Sequence, residues 1–266
     1  MREIEKITSS DNRRLVNARK VRDGKVPEQI FIEGRRLVEE VLRSNLVIDD
    51  CFVTDDFADD ELFEMIAALN IAIAVIPNRL LDSLSDTKHP QGIIMIAKRP
   101  ETSLSAIETN LGNSLLSIVV FLKEINNPSN LGAILRTAEA AGVAGVIISS
   151  NSANVFSPKS LRAAMGSAFR LPIVENTDIE NTLHWSKSTQ LTSTAAAGNS
   201  LKNYADIDWR KPRLLIFGSE AHGLDNAELQ LIEDAIRIPM ENEVESLNLA
   251  VSAGVLLFEA KRQITS

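Results

Sequence analysis

The stretch that decides the fold of this 266-residue chain lies near its C-terminus and reads LLIFGSEAHGL at residues 214–224. Its apolar start runs directly into a glycine turn, which is typical of a buried strand that ends at the edge of a parallel sheet. Two segments follow, IPM at residues 238–240 and ESLNLA at residues 245–250, where a Ser-x-Asn pair precedes a long apolar helix. Three such loops can converge at the carboxyl edge of a parallel sheet, where open α/β proteins bind their ligands.

Two more apolar runs, at residues 117–122 and 145–148, also lack polar alternation. Strands that are buried on both faces of a parallel sheet require such runs, so the second half of the chain predicts a parallel α/β domain. Its helices are predicted at residues 131–141, 158–167, 179–187 and 247–261.

The first hundred residues alternate short strands with short helices, which predicts a smaller α/β domain. A helix capped by Ser9 or Ser10 forms a basic N-terminal arm, and later strands are predicted near residues 31–34, 47–53, 71–76 and 92–97. The expected division is a first domain at residues 1–98, a linker at 99–114 and a second domain at 115–266.

Composition narrows the class of protein. Hydrophobic residues make up 44% and charged residues 24%, and no apolar run approaches the ~20 residues that a membrane helix needs. The opening Met1-Arg2-Glu3 leads into charged sequence and not into a signal peptide, so we expect a cytoplasmic protein with no membrane partner.

Cysteine and histidine usage argues against a metal centre. The single cysteine, Cys51, excludes an internal disulfide, and its apolar flanks predict a buried strand residue. The three histidines are too scattered for a sequence-local metal site, so no metal is expected. No G-x-G-x-x-G, G-x-x-x-x-G-K-[ST] or G-x-S-x-G motif follows a strand. The sequence therefore does not support a dinucleotide-binding site, a triphosphate-binding site or an esterase site.

Charge is unevenly distributed. The net charge of −8 and a pI near 5.1 disfavour nucleic acid binding, which phosphate contacts usually dominate. A cluster of basic residues near the N-terminus instead favours nucleic acid binding. The alternative interpretation of this cluster is a solvated helix face. The basic residues singled out are Arg13, Arg14, Arg19, Lys20, Arg22, Lys25, Arg35, Arg36 and Arg43.

The upstream segment NPSNLGAILRTA at residues 127–138 carries candidate chemistry. Asn130 lies near a helix start, and the Arg136 guanidinium, six residues on, could clamp a phosphate with two hydrogen bonds. The alternative is that Asn130 is a helix cap and Arg136 a surface side chain.

The C-terminal loops carry the remaining candidates. Gly218 and Gly223 bracket Glu220, and a glutamate at a buried edge needs hydrogen bonds or a cation, which suggests a role in organising the loops. Ser246 and Asn248 open the final helix, where both could bind a ligand or RNA. The alternatives are a solvated turn carboxylate for Glu220 and a helix cap for Ser246.

Together these segments resemble the three motifs of the SpoU (TrmH) family of RNA ribose 2′-O-methyltransferases. Residues 159–172, with Arg162 and Gly166, resemble the family's R-x-x-x-G segment, and His89-Pro90-Gln91-Gly92 its H-x-Q-G signature. The resemblance implies a parallel-sheet SPOUT domain with a C-terminal trefoil knot, preceded by a smaller L30e-like α/β RNA-binding domain. It also implies a homodimer formed through the SPOUT domain.

The resemblance further implies S-adenosylmethionine as cofactor, held by Gly218, Ile238 and Leu247. Arg136 is implied as the catalytic residue, with Asn130, Glu220, Ser246 and Asn248 positioning the nucleotide and the loops. The implied RNA contacts are Arg13, Arg14, Arg19, Lys20, Arg35 and Arg162.

The implied substrate is ribosomal RNA of the 23S type, methylated on a guanosine or a uridine. One alternative is a tRNA 2′-O-methyltransferase. Another, from a different class, is a catalytically silent RNA-binding protein of ribosome assembly.

Overall fold

A computed structural model of the chain describes residues 4–242 and 244–265; Met1-Arg2-Glu3, on which the signal-peptide expectation rests, lie outside them. The chain forms two compact units: Met1–Glu101 with Phe156–Phe169, and Thr102–Val155 with Arg170–Ser266. No helix in the described part of the chain is long and apolar enough to cross a membrane.

Strands and helices alternate along most of the chain. The strands are β1 (Glu5–Lys6), β2 (Gln29–Glu33), β3 (Ile48–Val53), β4 (Ile73–Val75), β5 (Ile93–Lys98), β6 (Leu116–Leu122), β7 (Val143–Ser149), β8 (Ile173–Thr177), β9 (Thr192–Ala196), β10 (Arg213–Phe217) and β11 (Asp234–Ile236). The helices are α1 (Arg13–Arg22), α2 (Arg35–Leu42), α3 (Glu61–Ala67), α4 (Asn78–Leu84), α5 (Leu104–Leu111), α6 (Pro128–Ala141), α7 (Pro158–Ala164), α8 (Ile179–Ser188), α9 (Asn226–Leu231) and α10 (Leu249–Thr265).

The first unit is built on a mixed five-stranded sheet of order β1-β4-β3-β5-β2. Strands β1 and β3 run parallel to β4, whereas β5 is antiparallel to both β3 and β2. The apolar face of α1, formed by Leu15, Ala18 and Val21, packs into the core of this sheet. Asn12, and not Ser9 or Ser10, caps α1, because its side chain accepts the backbone N–H of Arg14. Cys51 is buried in β3 as predicted, and burial raises the pKa of its thiol.

The second unit contains a six-stranded parallel sheet of order β11-β9-β10-β6-β7-β8, which confirms the parallel α/β class. From β6 the chain continues to β7 and β8 on one side, whereas β9 and β11 lie on the far side of β10. The connections that leave β6 and β10 therefore diverge from neighbouring strands, which is the topological switch point where such sheets bind ligands. The chain threading of a trefoil knot stays a prediction of the resemblance.

Two segments differ from the expected domain boundaries. The stretch expected to be a linker contains α5, whose Ile107 is fully buried in the core of the second unit. The segment Phe156–Phe169, expected in the second domain, belongs to the first unit. Apolar burial explains both differences, because Ile107 of α5 is 0% exposed and Leu161 of α7 is 1% exposed. In the second segment, Phe156 also lies under the guanidinium of Arg99, 4.6 Å from its ring centroid. The functional division of the chain stays a prediction.

Candidate active site

The loops that follow β6 and β10 begin side by side. Leu122 and Phe217, the last residues of these strands, are register partners. The next residue, Lys123, donates its backbone N–H to the Phe217 carbonyl at 2.9 Å. Both loops therefore leave the sheet at its carboxyl edge from adjacent positions.

The loop after β10 closes on itself as a miniature hairpin. The backbones of Ser219 and Gly223 exchange two hydrogen bonds, of 3.1 and 2.9 Å. A Cβ placed on Gly218 would lie 2.2 Å from the backbone carbonyl carbon of Gly223, so only glycine fits at this close approach. Gly223 needs the same freedom for a different reason, since its φ is +65°.

Glu220 at the tip of this hairpin holds the loop after β6. Its Oε2 accepts the backbone N–H groups of Asn126 and Asn127 at 3.2 and 3.1 Å, and its Oε1 accepts Nδ2 of Asn130. The expectation of a carboxylate at a buried edge is wrong, because Glu220 is exposed. Three donors aimed at one carboxylate explain its placement without burial.

The same network reaches the third loop. Asn248 Nδ2 donates to Oδ1 of Asn130 at 3.1 Å, so Asn130 bridges Glu220 and Asn248. Asn248 Oδ1 also accepts the backbone N–H of Ala250 at 2.9 Å, at the start of α10. The helix cap is therefore Asn248, and the cap interpretation of Ser246 is wrong because the helix begins at Leu249.

Helix α6 begins earlier than expected. Asn127 caps it by accepting the Ser129 N–H at 2.9 Å, and Pro128 occupies the first turn, so Asn130 lies inside the helix and not before it. This placement turns the Asn130 amide toward Glu220 and Asn248, so one helix turn joins the three loops.

Arg136 lies two turns further along α6 and is exposed. Among residues 4–242 and 244–265, its guanidinium has no hydrogen-bond or ion-pair partner. The structure thus unites Asn130, Glu220 and Asn248, whereas Arg136 and Ser246 stay outside that hydrogen-bond network.

The expected cofactor residues lie in the same three loops. Gly218 is buried, and Ile238 and Leu247 are half-buried. The neighbouring loop after β9 also reaches this edge, since a Cβ on Gly198 would lie 3.7 Å from the Glu245 carbonyl oxygen. In the described part of the chain, no group of three or more His, Cys, Asp or Glu side chains could hold a metal ion.

An ion pair at the base of the site escaped the sequence analysis. Lys123 Nζ lies 2.5 Å from Oε1 of Glu228, and both side chains are largely buried. The other oxygen of Glu228 accepts the Asp225 N–H at 2.8 Å and completes a capping box on α9. The D-x-x-E spacing of Asp225 and Glu228 was the signal that could have revealed that box.

The predicted RNA-binding side chains of the first unit fall into two groups. Arg14 is ion-paired with Asp50 and Glu5, Arg35 with Asp60 and Glu39, and Arg162 with Asp86. Arg19 donates to the Ser10 carbonyl and to Ser83 Oγ. Within the described residues, the side chains of Arg13 and Lys20 have no such partner, and both are exposed.

The fold and this site define a two-unit α/β protein in which three loops meet at the switch point of a parallel sheet, where open α/β proteins bind their ligands. The chain belongs to the SpoU rRNA Methylase family, because the sequence profile of that family matches residues 117–258. A second match, to the RNA 2′-O ribose methyltransferase substrate-binding domain, covers residues 31–103 of the first unit. The chain is therefore an RNA 2′-O-ribose methyltransferase by family.

Several known proteins are similar to this chain over most of its length. The 23S rRNA (guanosine-2′-O-)-methyltransferase RlmB of Photobacterium profundum is 31% identical over 88% of this chain and 97% of that protein. The 23S rRNA (guanosine(2553)-2′-O)-methyltransferase RlmP of Bacillus subtilis is 27% identical over 97% and 100%. The crystal structure of an AdoMet-bound rRNA methyltransferase from Sinorhizobium meliloti superposes with a TM-score of 0.84, 26% identity and 99% coverage of both chains.

Proposed function

We propose that this protein transfers a methyl group from S-adenosylmethionine to a ribose 2′-oxygen of ribosomal RNA. The observation that carries the proposal is the hydrogen-bond network from Glu220 through Asn130 to Asn248. It joins the three loops that carry the family motifs, and it does so at the edge where parallel sheets bind ligands.

The loops fit the cofactor chemically. S-adenosylmethionine supplies a methyl group on a sulfonium centre. Gly218 lets the hairpin close tightly on Gly223, and the backbone groups of this loop would contact the cofactor. Ile238 and Leu247 would offer half-buried apolar surface for its uncharged parts. The AdoMet-bound structure of the similar Sinorhizobium protein supports the identity of the cofactor.

Arg136 would act on the RNA and not on the cofactor. A guanidinium stays protonated in proteins and is a poor proton acceptor, so we assign it to clamp a phosphate and to stabilise charge that develops on the 2′-oxygen. Its lack of an ion-pair partner among the described residues leaves both edges of the guanidinium for this contact. Asn130, Ser246 and Asn248 would orient the nucleotide, and Glu220 would hold Asn130 in place.

The choice of ribosomal RNA rests on the first unit. Both similar enzymes are named for 23S rRNA and align over most of this chain, including the substrate-binding match at residues 31–103. The rivals are a tRNA substrate and a silent RNA-binding protein. The complete Glu220–Asn130–Asn248 network argues against the silent protein, which would not need it.

We also propose a homodimer that acts in the cytoplasm, where its RNA substrate is found. Helix α10 supports the dimer because it exposes Val251 and Phe258, seven residues apart on one face, at 52% and 48%. Sedimentation equilibrium of the whole protein should give about twice the mass of one chain. A single-chain mass across micromolar concentrations would contradict the dimer.

Mapping 2′-O-methyl groups in RNA from cells with and without the gene tests the function. We expect one ribosomal RNA position to lose its methyl group, and the purified protein to restore it with S-adenosylmethionine. The restored rate should persist in EDTA, since sulfonium transfer needs no Lewis acid. Loss of a tRNA methyl group would favour the tRNA rival, and no change in either RNA would favour the silent protein.

A further inference from the structure

We propose that one face of α1, formed by Arg13, Val16, Asn17 and Lys20, is a binding site for a single RNA strand. This inference rests on the proposed function, because it assigns part of the affinity for the same RNA substrate. Helix α1 precedes residues 31–103, which match the substrate-binding domain, so the site is an addition to that domain.

The four residues share one face because their spacing is i, i+3, i+4 and i+7. The opposite face of α1 is buried in the core through Leu15, Ala18 and Val21. The outward face lines an open groove of about 620 Å³, and Asp11, Arg14 and Asp50 complete its lining. The helix is thus held rigidly by its apolar face while it presents this stripe to solvent.

Charge distinguishes this stripe from the rest of the basic cluster. Arg14 lies 5.5 Å from the Phe52 ring centroid and pairs with Asp50, which neutralises that carboxylate. Arg22 donates to the Ser83 and Leu84 carbonyls, both at 3.1 Å. Arg13 and Lys20 are left, at the two ends of the groove, without a partner among the described residues.

Two free cations separated by seven helical residues lie roughly 10 Å apart along the axis. At that separation, two long basic side chains can contact phosphates of the same strand. Exposed Val16 and the amide oxygen of Asn17, whose Nδ2 donates to Oε1 of Gln29 at 3.0 Å, would contact the intervening sugar or base. Arg13 and Lys20 are complementary to a phosphodiester backbone, although the chain is acidic overall and the Asp11 carboxylate also lines the groove.

The test compares two charge-matched double variants of the full chain. R13Q/K20Q removes the proposed phosphate contacts. K187Q/K211Q removes two exposed lysines of the second unit, near the amino-terminal edge of its sheet. The probes are in vitro transcribed 23S rRNA and a labelled single-stranded RNA 12-mer. Binding is measured by anisotropy across a salt series without S-adenosylmethionine, and thermal unfolding confirms that each variant is folded.

R13Q/K20Q should weaken binding of both probes about tenfold at low salt. The slope of log affinity against log salt should become shallower by about 1.4, or 0.7 for each lost single-strand phosphate contact. K187Q/K211Q should match the wild type. Equal affinities and slopes for the two double variants would overturn the proposal, as would competition by duplex RNA but not by single-stranded RNA. Because the assay contains no methyl donor, it stands apart from the proposed function, which fails only if the wild type transfers no methyl group.

Discussion

Glu220 is an exposed carboxylate that nevertheless accepts hydrogen bonds from two backbone N–H groups and one side-chain amide. Hydrogen bonds to a charged acceptor are stronger than those between neutral groups, but water competes for an exposed carboxylate, so their net contribution to the free energy of unfolding is small. All three donors belong to residues 126–130, so one side chain fixes the position of the loop after β6. Its effect should therefore appear in catalysis more than in overall stability.

Replacing Glu220 with glutamine should lower the methyl transfer rate roughly ten- to hundredfold, because an amide has a single acceptor oxygen and no charge. The free energy of unfolding should change by less than about 1 kcal/mol, since the residue is exposed. Single-turnover transfer and urea unfolding measure the two effects. Glu180→Gln, at an exposed glutamate of α8, is the matched control. An equal rate in both variants would contradict the role of Glu220.

Arg136→Ala should leave the fold and the affinity for S-adenosylmethionine unchanged, because the arginine is exposed and has no partner among the described residues. The transfer rate should fall about a hundredfold or more, the scale for loss of one oxyanion-stabilising donor. Arg136→Lys keeps the charge without the planar fork, so it should restore only part of the rate. Single-turnover kinetics at saturating RNA and calorimetry of cofactor binding test this. Near-normal turnover in Arg136→Ala would contradict the clamp.

At the scale of elements, Lys123 and Glu228 tie the end of β6 to α9. The pair closes the far side of the loop that contains Gly218, because Glu228 also completes the capping box with Asp225. The Lys123 and Glu228 side chains are 20% and 13% exposed, whereas those of the Lys6–Asp55 pair are 67% and 62% exposed. Water screens the second pair far more than the first.

A double-mutant cycle on Lys123→Met and Glu228→Gln should give a coupling free energy of about 1 kcal/mol or more in urea unfolding. The same cycle on Lys6 and Asp55 should give less than about 0.5 kcal/mol, as exposed pairs do. Both Lys123 and Glu228 variants should also bind S-adenosylmethionine more weakly, because the loop that carries Gly218 loses its anchor. Additive effects of the two substitutions, with unchanged cofactor affinity, would refute the anchoring role.

At the scale of the whole molecule, the two units are not consecutive segments of the chain. Strands β6 and β7 belong to the second unit, α7 then belongs to the first, and the chain returns to the second at Arg170. Leu161 and Ala164 of α7 are buried within the first unit, and Arg162 pairs there with Asp86 at 2.8 Å. A cut at the predicted linker would therefore separate α7 from its core.

A truncated chain of residues 102–266 should retain its parallel sheet but expose the segment Phe156–Phe169. Limited proteolysis should cut this segment in the truncated protein and spare it in the full chain, because exposed unpacked segments are preferred cleavage sites. Mass spectrometry of the fragments identifies the cut. The same cleavage pattern in both proteins would contradict the assignment of α7 to the first unit.

The sequence predicted the local features that one strand or one loop contains. The apolar runs at 117–122 and 214–217 indicated buried parallel strands because a strand covered on both faces has no polar alternation. The sequence does not predict the weaker strands β8 and β9, since their polar residues, such as Glu175 and Ser193, hide the pattern. The sequence predicts a linker in place of α5 because serine, threonine and asparagine outweigh its one buried residue, Ile107.

By itself the sequence determined the fold class, the family motifs and the set of candidate residues, because these depend on hydrophobic pattern and local spacing. Only the tertiary structure decided which candidates meet, since the contact between Glu220 and Asn130 spans ninety residues and forms only when β6 and β10 pair. It also decided which cations are free. Arg13 and Arg14 are neighbours in sequence, but only the fold brings Asp50 to Arg14 and leaves Arg13 facing solvent.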